Sequence, residues 1–325
     1  MARYKIVFTD YYYPDIAKEI AILQRLGDVE IVDCTKIAPG GIRVEARIIE
    51  LASEADALIV QFARITRSVI AGLRRCRVIA RYAIGVDTID VEAAREKGIA
   101  VANVPDYCIE EVSDAALAHI LNCARKVTLS NNLLRAGEWA FDRVRPIRRF
   151  KTLTIGLVGF GHIARRLAEK LAPFGNRIVA YDPFVERGSV DARVELLPLE
   201  ELLRGSDVVS IHVPLTAQTR HLIDRRMLAL LRPGAILVNT SRGAVVDEGA
   251  LADALRSGRI AAAGLDVLDC SDEAYPQSPL AAFPAQVFIT PHIGWYSEES
   301  IAELQQKTAL NVFEALANGK PLYQV

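Results

Sequence analysis

Residues 154–171 read TIGLVGFGHIARRLAEKL, an apolar run followed by glycines and then by an amphipathic stretch. Gly159, Gly161 and Ala164 form the pattern G-x-G-x-x-A where a predicted strand passes into a predicted helix. In such a turn the first glycine permits the tight bend, the second lets a pyrophosphate approach the backbone, and the third small residue lets helix and strand pack closely. The stretch therefore predicts a dinucleotide-binding βαβ unit.

The next strand-like run, RIVAYD, ends at Asp182, which lies 18 residues after Ala164. A carboxylate at this point of the fold accepts hydrogen bonds from the adenosine ribose hydroxyls and repels the 2′-phosphate of NADP. No Arg or Lys follows Asp182 before Arg187. The sequence therefore favours NAD over NADP.

Strand-like and helix-like stretches alternate on both sides of this motif, which predicts parallel βαβ units. The strand-like runs are KIVFTD, VEIVDC, DALIV, RVIARY and IAVANV before the motif, and RIVAYD, DVVSIHV, AILVNTS, AAAGLDV and VFITPHI after it. The later runs are apolar on both faces, as strands covered on two sides are. Because 325 residues exceed the usual size of one core, we predict two doubly wound α/β domains.

Two helical regions lie outside these units, one between the two sets of strand-like runs and one after the last run. Residues 109–139 have apolar positions at helical spacing and predict either one long helix or two consecutive helices. Residues 297–319 begin with Ser297 and end at Gly319, which are helix start and stop signals. The basic residues between 143 and 151 are interpreted as a solvated connector, because no aromatic residues alternate with them in the pattern of a nucleic-acid surface.

The composition is that of an ordinary globular protein, with 51% hydrophobic and 24% charged residues. A net charge of -1 gives no general attraction to nucleic acid or to an anionic membrane, and no apolar run has the length of a membrane helix. The five cysteines are scattered without a C-x-x-C pair or a nearby His at metal-ligand spacing. We expect a cytoplasmic protein with reduced thiols, no metal, and neither nucleic acid nor membrane as a partner.

Two candidate catalytic side chains follow predicted strands. Arg242 comes after AILVNTS and His292 after VFITP, so both lie where parallel sheets bind ligands. Arg242 has two donors for a carboxylate, and His292 can exchange a proton near neutral pH. Taken singly, each also fits a surface ion pair or a hydrogen-bonded spacer; taken together, they suit a 2-hydroxy acid.

Six motifs resemble the NAD-dependent D-2-hydroxyacid dehydrogenases over essentially the whole length: RYAIGVDTID, VANVPDYCIEEVSDAALAHIL, GLVGFGHIA, VVSIHVPLTAQTRHLI, VNTSRGAVVDEGAL and TPHIGWYSEES. PHIGWYSEES resembles especially the branch that contains the C-terminal-binding proteins, which are dehydrogenase-like corepressors, and their bacterial relatives. The resemblance implies a Rossmann-type cofactor domain of residues 102–292, inserted into a flavodoxin-like substrate domain of residues 1–101 and 293–325. It also implies a homodimer, formed through the helical region 109–139 and the arm 140–151.

By this resemblance Arg242 grips the substrate carboxylate and 2-oxo group, and His292 is the general acid and base. Ile84 and Gly85 offer backbone N–H groups to the carboxylate, and Trp295 lines the substrate tail or serves interdomain packing. The positions implied around NAD are Gly159, Gly161, His162, Ile163, Asp182, Val213, Pro214, Thr216, Thr240, Ser241 and Asp266. The remaining histidines, His119, His212 and His221, are interpreted as structural.

The chain departs from the family pattern in residues 265–280, LDVLDCSDEAYPQSPL. The family places an acid five residues after the aspartate that matches Asp266, where this chain has Ser271. Such an acid orients the histidine and raises its pKa. We predict that Glu273 or Asp272 takes this role through an inserted residue, and that Asp269 is the least favoured candidate.

These features favour an oxidoreductase that transfers a hydride between NAD(H) and a 2-oxo or 2-hydroxy acid. An NAD-responsive binding protein of the corepressor kind is one alternative. Because of the altered acid loop, non-redox chemistry on a carboxylate substrate is another.

Overall fold

The computed structural model describes residues 4–186, 193–269 and 272–325, and the side chains of residues 272–274 lie outside the described part. The chain divides into two compact units. The first comprises Met1–Tyr107 and Ser297–Val325, and the second comprises Cys108–Tyr296.

The first unit is built on a five-stranded parallel sheet with the order β2-β1-β3-β4-β5. Its elements up to the first boundary are β1 (Tyr4–Phe8), α1 (Ala17–Leu23), β2 (Val29–Asp33), α2 (Glu45–Ala52), β3 (Ala57–Val60), α3 (Arg67–Gly72), β4 (Val78–Arg81), α4 (Val91–Glu96) and β5 (Ala100–Ala102). Every residue of β3 and β4 is buried, because helices cover both faces of the sheet. The strand order is that of flavodoxin-like folds, as the family resemblance implied.

The second unit is built on a seven-stranded parallel sheet with the order β12-β11-β10-β9-β6-β7-β8. Its elements are α5 (Ile109–Arg125), α6 (Val127–Arg135), β6 (Thr154–Val158), α7 (His162–Leu171), β7 (Arg177–Tyr181), β8 (Val194–Leu196), α8 (Leu199–Gly205), β9 (Val208–Ile211), α9 (Arg225–Leu230), β10 (Ala235–Asn239), α10 (Glu248–Arg256), β11 (Ile260–Leu265) and β12 (Val287–Ile289). The order reverses between β6 and β9, which is the switch point of a Rossmann-type sheet.

The region 109–139 contains two consecutive helices, one of the two forms that the sequence left open. The break is at Lys126, whose φ of 54° places it in the left-handed region. The two helices differ in burial: α5 buries one face, whereas α6 has no buried residue.

The last helix, α11 (Glu298–Asn318), returns the chain to the first unit. The Ser297 side chain accepts a hydrogen bond from the backbone N–H of Ser300 at 2.9 Å, and the helix ends at Gly319 with a φ of 84°. The predicted start and stop of this helix are confirmed.

The resemblance implied domain boundaries after residues 101 and 292. The observed units instead divide after Tyr107 and after Tyr296. Asn103 stays with the first unit because its backbone N–H donates to the Tyr323 carbonyl at 3.3 Å. Ile293 and Gly294 stay with the second unit because their N–H groups donate to the Asp266 carboxylate. These hydrogen bonds join residues that are distant in sequence, and local pattern does not reveal them.

The connector before β6 is tied to the second unit by one of its arginines. Arg148 Nη1 donates to Asp207 Oδ1 at 2.6 Å, and Asp207 Oδ2 accepts the Thr154 N–H at 2.9 Å. Arg143 and Arg145 pair instead with the nearby carboxylates Glu138 and Asp142. The connector is thus solvated along part of its length and anchored at Arg148.

None of the helices within residues 4–186, 193–269 and 272–325 is both long enough and apolar enough to cross a membrane.

Candidate active site

The carboxyl edge of the second sheet gathers most of the predicted site. In this sheet each of the strands β6, β7, β9, β10, β11 and β12 is followed by a predicted site residue. In that order the residues are Gly159, Asp182, Val213, Thr240, Asp266 and His292. Ligands of doubly wound sheets bind in the crevice at this edge.

The glycine loop after β6 has the backbone that its sequence predicts. Gly159 has a φ of 89°, and a Cβ there would lie 2.9 Å from the His212 carbonyl carbon and oxygen. Gly161, the N-cap of α7, has nothing within 4 Å of the position of an added Cβ, whereas Ala164 is fully buried. The loop therefore combines a turn that excludes side chains with an open backbone face, and this arrangement fits a pyrophosphate.

His162 and Ile163 are the first two residues of α7. N–H groups in the first turn of a helix have no partner within the helix, and the helix dipole places positive charge there. The predicted phosphate contacts thus lie at the amino end of a ten-residue helix.

Asp182 follows β7 and is hydrogen bonded to its surroundings through both oxygens. Oδ2 accepts the Phe160 N–H at 2.8 Å, and Oδ1 accepts the Phe184 N–H at 2.9 Å. Each carboxylate oxygen can accept a further hydrogen bond. The arrangement fits a carboxylate that supports the glycine loop and binds ribose hydroxyls.

The loop after β9 carries Val213, Pro214 and Thr216. Val213 is buried, and its Cγ1 would lie 2.9 Å from a Cβ added at Gly159, so the structure brings this loop to the glycine loop. Thr216 is exposed, and its Oγ1 accepts the N–H groups of Gln218 and Thr219 at 3.2 Å each. Its hydroxyl therefore shapes the turn.

The loop after β10 is organised by Asn239, which the sequence analysis missed. Its buried Oδ1 accepts the backbone N–H of Ser241 at 3.0 Å and the hydroxyl at 2.8 Å, and its Nδ2 donates to the Arg242 carbonyl at 2.9 Å. Arg242 Nη1 donates to the Ser241 carbonyl at 2.8 Å. The only sequence signal for this role was a polar residue at the end of an apolar strand.

Thr240 in the same loop has an unusual environment. Its Oγ1 is buried without a hydrogen-bond partner among the residues that the structure describes. Buried hydroxyls are almost always satisfied in native proteins, so a bound ligand is the natural partner for this atom. The orphaned hydroxyl supports a cofactor site at this edge.

Asp266 holds the loop that carries His292. Its Oδ1 accepts the Thr290 hydroxyl at 2.5 Å and the Ile293 N–H at 3.0 Å, and its Oδ2 accepts the Gly294 N–H at 2.8 Å. A Cβ at Gly294 would lie 2.8 Å from Oδ2, which explains the glycine. The resemblance implied that Asp266 lies beside NAD; the structure shows that its carboxylate holds the loop that carries His292.

His292 sits at the turn of this loop with a φ of 53°, and its side chain is exposed. Its N–H donates to the Thr290 carbonyl, and its carbonyl accepts Trp295 Nε1, each at 2.9 Å. Trp295 therefore anchors the loop as well as offering an aromatic surface. Few residues other than glycine adopt this backbone region, and such conformations cluster at functional sites.

The acid loop is only partly described. Ser271 lies outside the described residues, and so do the side chains of Asp272 and Glu273, whose backbone belongs to the 3₁₀ helix Asp272–Gln277. The Asp269 side chain lies beside His221 and Arg220, with its Oδ2 3.5 Å from His221 Nε2 and 4.0 Å from Arg220 Nη1.

Glu248, another residue that the sequence analysis missed, fixes both ends of this segment. Its Oε1 accepts the Asp269 N–H at 2.6 Å, and its Oε2 accepts the Ser278 hydroxyl at 2.8 Å.

Ile84 and Gly85 belong to the first unit and follow β4. The Ile84 carbonyl accepts Asn103 Nδ2 at 2.6 Å, and the Gly85 carbonyl accepts Arg81 Nη1 at 2.7 Å. The loop is thus held through its carbonyl oxygens, at the carboxyl edge of the first sheet.

Comparison with known proteins gives the family. Residues 117–294 match the profile "D-isomer specific 2-hydroxyacid dehydrogenase, NAD binding domain". Two curated relatives are 37% identical to the chain. A D-3-phosphoglycerate dehydrogenase of Methanocaldococcus jannaschii aligns over 91% of this chain and 54% of its own length. A glyoxylate reductase of Aeropyrum pernix aligns over 98% of this chain and 95% of its own length.

The chain thus spans about half the length of the phosphoglycerate dehydrogenase. Among solved structures, a D-lactate dehydrogenase from Aquifex aeolicus in complex with NAD and lactic acid superposes with a TM-score of 0.82 at 28% identity. That match covers 97% of this chain and 96% of the other.

Proposed function

This chain belongs to the D-isomer-specific 2-hydroxyacid dehydrogenases, and on that premise we propose that it interconverts a 2-oxo acid and the corresponding 2-hydroxy acid with NAD(H). The observation that carries the proposal is the placement of Arg242 and His292 on the same sheet edge as the glycine loop. Relatives named for glyoxylate and for lactate support a small 2-oxo acid as the substrate.

We propose that the cofactor is held by the glycine loop, the first turn of α7, Asp182 and the loops after β9 and β10. When bound, the reduced nicotinamide supplies the hydride that becomes the hydrogen on C2 of the product. The Asp182 carboxylate selects NAD, because a 2′-phosphate beside it would be repelled.

The side chains of the site divide the remaining tasks. Arg242 directs two N–H donors at the substrate carboxylate and 2-oxo group, and the N–H groups of Ile84 and Gly85 add to the carboxylate binding. His292 holds a proton on its imidazole and donates it to the substrate oxygen in reduction, then takes it back in oxidation. Asp272 or Glu273 is the proposed partner that keeps the imidazole protonated, and Trp295 the proposed surface for the substrate tail.

The test is a scan of 2-oxo acids for loss of NADH absorbance, with NADH binding measured separately by fluorescence. We expect turnover with at least one acid, and a large loss of turnover in His292→Gln with NADH binding retained. NADH binding without turnover of any acid would favour the corepressor-like alternative, in which the site senses cofactor. Turnover that survives in His292→Gln would remove the proposed acid and base.

We further propose a homodimer formed through the helical region 109–139, in which α6 is the exposed part, and the arm 140–151. Four large apolar side chains of this segment are exposed, and Trp139 is 89% exposed; the others are Val127, Leu134 and Phe141. Apolar surface of this extent on one segment is typical of a subunit contact.

We also propose a cytoplasmic location, in which the cysteine thiols stay reduced. Burial raises the pKa of Cys34 to about 11 and that of Cys123 to about 12, so both stay protonated. Reduced buried thiols are usual in that compartment.

A further inference from the structure

His119 is a buried histidine outside the predicted site, and it reaches the loop of His292 through one hydroxyl. It lies on α5 with its Nε2 3.1 Å from Thr290 Oγ1. Gly264 of β11 makes room for it, because a Cβ at that position would lie 2.8 Å from the His119 Cβ and 3.0 Å from Nδ1. The absence of a side chain at Gly264 thus leaves the space that the His119 ring occupies.

The directions of these hydrogen bonds follow from chemistry. An ionised carboxylate only accepts, so the Thr290 hydroxyl donates its single proton to Asp266 Oδ1, 2.5 Å away. The same hydroxyl can then only accept from His119, which must carry a proton on Nε2. Burial lowers the pKa of His119 against the opposing effect of Asp266, and the neutral ring is therefore the Nε2–H tautomer.

The series of hydrogen bonds from His119 through Thr290 to Asp266 involves residues on both sides of His292 in the sequence. Thr290 precedes His292 and donates to Asp266, while Ile293 and Gly294 follow it and donate to the same carboxylate. Hydrogen bonds in series polarise one another, so a donor at His119 strengthens the contact between Thr290 and Asp266. These contacts offset the energetic cost of the left-handed backbone conformation at His292.

We propose that His119 is a positioning residue, which through Thr290 and Asp266 holds the loop 290–294 in the conformation that presents His292. The consequence for the reaction rests on the proposed function of His292, whereas the effect on the loop does not. His119 is thereby distinguished from His212, a half-buried histidine of the same unit whose Nε2 lies 2.9 Å from Ser210 Oγ.

Hydrogen exchange of the Ile293 and Gly294 amides tests the loop directly. His119→Phe keeps an aromatic ring at this position and removes the donor, and Thr290→Val removes the connecting hydroxyl. We expect each to speed exchange of these two amides by about tenfold, and the double variant to do no more than either single one. His119→Gln, whose amide nitrogen can reach the Nε2 position, should restore protection, and the matched control His212→Phe should leave both amides unchanged.

Exchange in His119→Phe within about twofold of the parent would overturn the proposal. Equal exchange in His119→Gln and His119→Phe would also overturn it, because ring packing and not the hydrogen bond would then hold the loop.

Kinetics supply the second arm: kcat should fall about tenfold in His119→Phe with the KM for NADH changed by less than about twofold. A parent that turns over no 2-oxo acid yet shows the exchange pattern would refute the proposed function alone. An active parent without the exchange pattern would refute the role of His119 alone.

Discussion

Asp182 Oδ2 accepts the backbone N–H of Phe160 at 2.8 Å, so the carboxylate after β7 is joined to the glycine loop after β6. If Asp182 selects NAD as proposed, cofactor choice and loop geometry depend on one side chain. Replacing Asp182 by Asn keeps an acceptor for Phe160 and removes the charge that repels a 2′-phosphate.

For Asp182→Asn we expect the ratio of NADP to NAD affinity to rise by about tenfold or more, corresponding to at least 1.4 kcal/mol. Dissociation constants for NADH and NADPH, measured by fluorescence on both proteins, decide the matter. A parent that binds NADPH as tightly as NADH would refute the selection by Asp182.

Arg242→Lys keeps the positive charge and loses the planar pair of donors. A lost charged hydrogen bond is worth about 1.5–3 kcal/mol, so kcat/KM for the preferred 2-oxo acid should fall by about one to two orders of magnitude. Steady-state rates give the answer, and values within about threefold of the parent would exclude Arg242 from substrate binding.

Asp272→Asn and Glu273→Gln test the displaced acid. The proposed reduction needs protonated His292, so its rate should decline as pH rises through the histidine pKa. A neighbouring carboxylate raises that pKa, and its loss moves the pKa back toward about 6.5. One variant should keep the parent profile, and the other should show a slower rate whose decline begins at lower pH. Parent profiles for both variants would exclude this stretch as the source of the acid.

Asp207→Asn tests the anchor of the connector. Burial acts to raise the pKa of Asp207, but the Thr154 N–H and the Arg148 and Arg232 guanidinium groups together hold it below the usual value. A lowered folded-state pKa contributes stability above the unfolded-state pKa of about 3.9, and that stability is lost as pH falls through the folded-state value.

The Asp207→Asn variant should therefore be less stable than the parent by about 1.5–3 kcal/mol at neutral pH, with the difference shrinking in acid. Denaturant unfolding at both pH values measures it. Glu195→Gln, which breaks the exposed pair with Arg177, is the control and should change stability by less than about 1 kcal/mol. A difference that persists unchanged in acid would show that charge at Asp207 is not the cause.

Trp139→Ser combined with Phe141→Ser should convert a dimer into a monomer, because both side chains are exposed, Trp139 at the end of the helical region and Phe141 on the arm. Light scattering at micromolar concentration reads the mass. Val44→Ser, which changes an exposed apolar residue of the first unit, should leave the dimer intact. A monomeric parent would refute the dimer outright.

Local sequence pattern predicted the parts of the fold that local physics determines. Continuous apolar runs marked the long buried strands, and the glycines of the loop after β6 marked a backbone that tolerates no side chain at Gly159. The edge strand β8 escaped detection, because Val194–Leu196 has Glu195 at its centre and forms no continuous apolar run.

The supports of the site were not predictable in the same way. Asp266 contacts Thr290 and Gly294, and Glu248 contacts Ser278, across distances in sequence that only the folded sheet closes. In the sequence, Asp266 and Glu248 look like ordinary surface carboxylates, and only their hydrogen-bond partners in the folded protein distinguish them. The reacting groups could be proposed from motif and strand position, whereas the residues that hold them required the structure.

The two hydrogen bonds of Glu248 bear on how members of this family can diversify. With Asp269 and Ser278 each tied to the same side chain, the residues between them begin and end at fixed points beside the sheet. We expect substitutions or a one-residue change of length within that interval to leave the anchors and the strands in place. The interval is thus a segment where a lineage can exchange one acidic position for another, or abandon it, while the cofactor-binding framework stays intact.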